Sequence, residues 1–170
     1  MIFRFILPLL LALSACSDAP KAPASAPLFA TTLTDAEGRI VALERYRGKP
    51  LIVNFWARWC PPCREEIPEL KRIQALQGEQ GLEVVGIGIE EDHDGVLRFI
   101  NANAMNYPVL LTGDQGNALM KAVGNNTLAL PYTLAIDREG RIVGRKLGLM
   151  RRADVDALAG VALGKAPGKP

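Results

Sequence analysis

Two cysteines separated by two prolines, Trp59-Cys60-Pro61-Pro62-Cys63, carry the most specific chemistry in this chain. Upstream, Leu51-Ile52-Val53-Asn54-Phe55-Trp56 reads as a buried strand entered through the breaker Gly48-Lys49-Pro50. Downstream, Ile67, Leu70 and Ile73 recur at helical spacing and define one apolar face. Cys60 therefore falls where free backbone N–H groups and the positive end of a helix converge, an environment that stabilises a thiolate. A pair at this spacing can close a small disulfide across the first helical turn and open it again. Two other uses of such a pair compete. Structural zinc needs four ligands, and the chain offers no second Cys pair and only His93 besides. A purely structural disulfide gains little from so small a loop, because the stabilisation grows with loop length. Redox exchange is the reading that the strand–turn–helix setting supports.

The third cysteine is explained by the N-terminus. Arg4 is followed by the apolar stretch Phe5 to Leu13, then by Leu13-Ser14-Ala15-Cys16. This order resembles a bacterial lipobox, cleaved before Cys16, with Cys16 as the lipidated first residue. The stretch is too short to remain as a membrane-spanning helix, which favours a signal peptide over 1–15. An exported chain lives where disulfides persist, and a leaderless cytosolic redox protein is excluded. Arg4 is one of 20 basic residues, so the mature chain carries 19 against 18 acidic ones. That balance argues against a nucleic-acid partner or a polybasic membrane surface.

The elements that must position the cysteines follow in order. Residues 16–27 are rich in Ala, Pro and Ser and read as a tether spanning at most about 3.1 Å per residue. A domain over 28–163 follows, and 164–170 reads as a disordered tail. Within the domain, Phe29 to Thr34 and Ile40 to Leu43 form an N-terminal hairpin about Asp35-Ala36-Glu37-Gly38. The strand Leu51–Trp56 and the helix from Cys60 come next, then a buried strand Leu82–Ile89 and a helix over Asp94–Asn103. A short strand Tyr107–Leu111 and a helix Gln115–Val123 precede a hairpin of Tyr132–Ile136 with Arg141–Leu147. A last helix covers Arg152 to Leu163. The alternation gives an α/β fold with a mixed central sheet flanked by helices. The acidic run Glu90-Glu91-Asp92-His93-Asp94 is a solvated loop with Asp92 or Asp94 as helix N-cap, not a metal site.

The segment Val53-Asn54-Phe55-Trp56-Ala57-Arg58-Trp59-Cys60-Pro61-Pro62-Cys63-Arg64-Glu65-Glu66-Ile67-Pro68 resembles the active site of the thioredoxin superfamily. More narrowly, it is similar to the TlpA/ResA-like periplasmic thiol–disulfide oxidoreductases, a resemblance covering about Phe29 to Leu163. It implies a thioredoxin fold with the strand–helix insertion near Tyr107 to Val123. It implies Cys60 as the attacking thiol, Cys63 as the resolving one, and a redox-active disulfide between them. Glu66 then lies near the site and assists proton transfer, whereas Glu65 is an exposed helix residue. Pro131 matches the family's cis-proline, with Leu130 presenting its backbone to substrate. Asn54 stands where thioredoxins carry a buried aspartate, which shifts the proton burden to Glu66 or water. Trp56 is expected in the core, Trp59 as a partly exposed platform beside Cys60, and Arg58 in solvent.

The resemblance further implies a monomer without cofactor or metal, in the bacterial periplasm. The lipid on Cys16 anchors it to a membrane, with Ser17 hinting at the outer one. Electrons arrive from a transmembrane thiol donor and pass to client proteins with disulfides, including apocytochromes during cytochrome c biogenesis. The rivals are a disulfide-forming oxidase or isomerase, and a copper-delivery module in which His93 would have to reach the cysteines. A peroxidase requires a different cysteine context.

Overall fold

A computed structural model of the protein describes residues 24–165. The expected signal peptide, Cys16, Ser17, most of the tether and residues 166–170 lie outside the described residues. The organising element is the strand β3 (Leu51–Trp56), every residue of which is buried. Burial on both faces follows from its near-continuous apolar sequence, as in the centre of an α/β sheet. Leu51, Val53 and Phe55 enter one hydrophobic cluster, and Ile52 and Trp56 enter the other. The pleat sorts alternate residues to opposite faces, which puts Asn54 on the Ile52–Trp56 side.

Around β3 lie β1 (Thr32–Asp35), β2 (Ile40–Ala42), β4 (Glu83–Gly88), β5 (Val109–Leu111), β6 (Tyr132–Ile136) and β7 (Ile142–Leu147). The sheet order is β2-β1-β5-β4-β3-β6-β7. β3, β4 and β5 run parallel, and the remaining pairings are antiparallel. Together with its flanking helices this is the mixed α/β sheet of the thioredoxin fold. Helices α2 (Pro61–Gln77), α3 (His93–Ala102) and α5 (Arg152–Ala162) cover the face holding the cysteines. The short α1 (Ala26–Phe29) and α4 (Gly116–Ala122) cover the other. Glycines in β4 make room for the large side chain beneath the site: a Cβ on Gly86 would sit 3.1 Å from Trp56 Nε1. Trp56 is accordingly buried, 5.4 Å from the Phe99 ring.

Several boundaries differ from the sequence reading. Phe29 belongs to α1, and the first strand starts at Thr32. Residues 24–27, assigned to the tether, are part of the fold. Ser25 is fully buried and its hydroxyl donates to the Gly140 carbonyl, with Leu28 and Phe29 anchoring the turn in the core. At the other end, Gly164 and Lys165 cap α5 through bonds to Val161 and Gly160 carbonyls at 3.1 and 2.9 Å. Gly164 adopts φ +74°, the left-handed conformation that commonly ends a helix. Tyr107 lies outside β5, and Leu43 starts a 3-10 turn to Tyr46 in place of a fourth strand residue.

Candidate active site

β3 ends at Trp56, and the chain turns through Ala57-Arg58-Trp59-Cys60 into α2. Cys60 is the N-cap of that helix. Pro61 and Pro62 have no N–H to offer, so the first amide of the helix that can donate is that of Cys63, and it reaches Cys60 Sγ at 3.3 Å. The helix start thus aims a donor and its dipole at this sulfur, which favours a thiolate on Cys60 when the pair is reduced. Cys60 and Cys63 form a disulfide with a Cα–Cα separation of 5.3 Å. Cys60 keeps 5% exposure and Cys63 none, so an incoming sulfur can approach Cys60 alone.

Glu66 lies one turn beyond Cys63 on the inner side of α2 and is fully buried. Its Oε1 accepts from Asn54 Nδ2 at 2.6 Å, and its Oε2 accepts from the Met150 N–H at 3.1 Å. Burial raises its pKa from 4.5 to about 7, opposed by those two bonds. A carboxylate so placed can exchange a proton near neutral pH. Glu65 is exposed, as expected. Asn54 also donates to Thr133 Oγ1 at 3.0 Å, across the β3–β6 register pair Asn54↔Thr133. Burial and the charge of Glu66 together hold the Tyr107 phenol well above its usual range. Tyr107, Thr133 and Met150 were not singled out in the sequence. A polar residue facing Asn54 across two otherwise apolar strands was the available signal for Thr133. The Met150 contact is a backbone amide and leaves none.

The remaining expected residues surround the cysteines. Leu130–Pro131 is a cis peptide bond, and the register Phe55↔Tyr132 puts Pro131 beside the end of β3. Leu130 is half-buried and packs on the cluster that contains both cysteines. Trp59 is 68% exposed, the largest outward-facing side chain next to Cys60. Arg58 corrects the expectation of a solvated side chain: it is ion-paired to Glu90 at 2.7 Å and to Asp92 at 2.9 Å. Asp92 is the N-cap of α3, accepting from the Gly95 N–H at 2.9 Å. His93 turns away from the cysteines: Nδ1 lies 3.1 Å from the Asp35 carbonyl and Nε2 3.5 Å from Thr34 Oγ1. Among the described residues, no three His, Cys, Asp or Glu side chains converge to hold a metal ion, and no helix is long and apolar enough to cross a membrane.

Comparison with known proteins agrees with this geometry. The Redoxin family matches residues 21–161. Thiol-disulfide oxidoreductase ResA of Halalkalibacterium halodurans is 32% identical over 124 residues, 73% of this chain and 68% of the relative. ResA of Bacillus thuringiensis subsp. konkukian is 30% identical over 111 residues, and there the chain spans 62% of the relative's length. Among solved structures, a thiol:disulfide interchange protein of the thioredoxin family from Chlorobium tepidum superposes with a TM-score of 0.70 at 29% identity. That match covers 79% of this chain and 93% of the other.

Proposed function

The chain belongs to the Redoxin family, among the ResA-like thiol–disulfide oxidoreductases of thioredoxin fold, and from that premise we propose that it reduces disulfides of exported client proteins. The observation that carries this reading is the paired placement of Cys60 at the helix N-cap and buried Glu66 one turn past Cys63. In the reduced protein the Cys60 thiolate attacks a client disulfide, forming a mixed disulfide and releasing one client thiolate. Cys63 then attacks Cys60 Sγ, giving up its proton to Glu66, and the second client thiolate leaves. The client gains two electrons and the Cys60–Cys63 disulfide forms. A transmembrane thiol donor returns the electrons. Trp59, Leu130 and Pro131 form the platform for the client peptide.

The anchor belongs to the same proposal: a lipid on Cys16 holds the protein at the periplasmic face of a membrane. In support, the described chain enters at Ser25, tied to the Gly140 turn after β6. That turn is at the sheet end opposite Cys60, since Leu51 pairs Ile136 there and β3 runs away from it. An anchor on the N-terminal side leaves the dithiol facing outward. The copper-delivery alternative finds no support, because the His93 ring is engaged at Thr34 and Asp35.

Two measurements test the proposal. Cys63→Ser should accumulate mixed disulfides with clients and Cys60→Ser none; the reverse pattern would overturn the assignment of attacker and resolver. A redox titration should give a potential near the reducing range of about −270 mV, whereas a value near −120 mV would identify an oxidant.

A further inference from the structure

The turn that presents Cys60 is held from outside by charged residues. The Cys60 N–H donates to the Ala57 carbonyl at 3.2 Å, leaving Arg58 and Trp59 as the turn's two corners. Strand pairing ends just before it, where the Ile89 N–H reaches the Trp56 carbonyl at 2.9 Å. Glu90, the next residue, takes over: its carboxylate accepts from the Arg58 backbone N–H and, at 2.7 Å, from Arg58 Nε. Arg58 Nη2 continues to Asp92 Oδ2 at 2.9 Å, and Asp92 Oδ1 caps α3. The Glu90 side chain is 7% exposed and that of Arg58 29%, so this pairing is partly shielded from solvent. Close approach is enforced at Gly95, where a Cβ would fall 2.1 Å from Arg58 Nη1 and 2.0 Å from Asp92 Oδ2.

We propose that Arg58, Glu90 and Asp92 act together as positioning residues for Cys60, a charge-balanced brace that fixes the nucleophile's turn to the start of α3. Three features support it. Glu90 binds both the backbone and the side chain of one residue, which fixes the turn's orientation as well as its distance. The forked guanidinium spans two carboxylates on one loop, a geometry that lysine cannot reproduce. The cation of Arg58 is answered by Glu90, and the charge of Asp92 by the α3 N-terminus, so the brace sets position without leaving a net cation beside the thiol. Arg98 on α3 adds a second positive charge near Asp92. Arg64, Glu65 and Glu66 on α2 make none of the brace's bonds, and the segments 125–131 and 148–150 carry no charge.

The brace rests on the proposed exchange chemistry only in taking Cys60 as the reacting sulfur; insulin reduction by the unaltered chain tests that chemistry separately. The test of the brace is the pH dependence of Cys60 alkylation by iodoacetamide in the reduced protein, with mass spectrometry locating the label. Without the brace Cys60 drifts from the Cys63 N–H and the α2 dipole, so its thiol pKa should rise in Arg58→Ala and in Glu90→Ala alike, by about half a unit to one unit. A charge effect without positioning would raise it in Arg58→Ala, which strands the Glu90 anion, lower it in Glu90→Ala, which strands the Arg58 cation, and cancel when the two are combined. That pattern, or no movement in either single variant, overturns the proposal. Should Arg58→Ala fail to fold, Glu90→Ala decides alone: its pKa must rise.

Discussion

Glu66→Gln separates the charge of this side chain from its shape. In the native protein the carboxylate is fully buried, and its pKa stands at about 7 against 4.5 for an ordinary glutamate. A folded-state pKa above the unfolded one means that the native state binds the extra proton between those values. Stability in the unaltered protein therefore falls as pH rises from about 4.5 to about 7, and the full cost applies above 7. At about 1.4 kcal/mol per pH unit over that window, the cost is about 3 to 4 kcal/mol. Glutamine never titrates, so the variant escapes it. It incurs a different one: its NH2 cannot accept, so either the Met150 N–H or one of the two N–H groups of Asn54 Nδ2, the other being held by Thr133, loses its acceptor, at about 1–3 kcal/mol. The variant should be the less stable protein at pH 5 and as stable or more so at pH 9. Urea unfolding of the oxidised form at pH 5, 7 and 9, with unchanged m-values, reads the difference directly. Stopped-flow exchange should in parallel lose the wild-type inflection near pH 7 and slow by about tenfold to a hundredfold, at or below the lower end of acid–base catalysis. A stability difference independent of pH would refute the buried titration, and a wild-type rate profile would remove Glu66 from the proton path.

Cys16→Ser should move the protein from the membrane to the soluble periplasmic fraction without changing exchange in vitro; fractionation and mass spectrometry of the N-terminus check it, and an unmodified Cys16 would refute lipidation. Asn125→Ala should raise KM for a protein client severalfold while leaving exchange with dithiothreitol within about twofold. Buried Asn125 holds the loop ahead of Pro131 through Nδ2 to the Ala129 carbonyl at 2.9 Å, and Leu128 in that loop takes φ +58°. Equal losses with both substrates would place the damage in the dithiol instead. The unpartnered groups left behind should also cost about 1–3 kcal/mol of stability.

What the sequence disclosed depended on whether a residue's role was local. β3, α2 and the Cys60–Cys63 turn were legible because apolar runs, helical spacing and the Cys-Pro-Pro-Cys order all lie within neighbouring residues. Glu66 was legible only through resemblance, for its partners Asn54 and Met150 are 12 and 84 residues away. The early start of the fold at Ser25 was hidden for the same reason, since an Ala/Pro-rich segment lacks a core-forming pattern and its anchor, Gly140, is 115 residues distant.

Arg58 shows the limit most clearly. An arginine in a turn is ordinarily exposed, and the acidic run 90–94 ordinarily faces water; each taken alone gives the solvated reading. Parallel pairing of β3 with β4 joins them, because Trp56↔Gly88 brings the ends of both strands level and sets Glu90 against the turn that follows Trp56. Once there, a carboxylate that satisfies two Arg58 N–H donors is worth more than a solvated one, since solvent is largely kept from Glu90. The same register determines which acidic residue is chosen: Glu90 reaches the turn, Asp92 caps α3, and Glu91 stays exposed. The charge pattern of the loop therefore acquires its meaning from strand pairing. Moving the acidic side chain by one position, as in Glu90→Ala with Glu91 retained, should leave Arg58 without its backbone acceptor although the loop's sequence would still read as acidic.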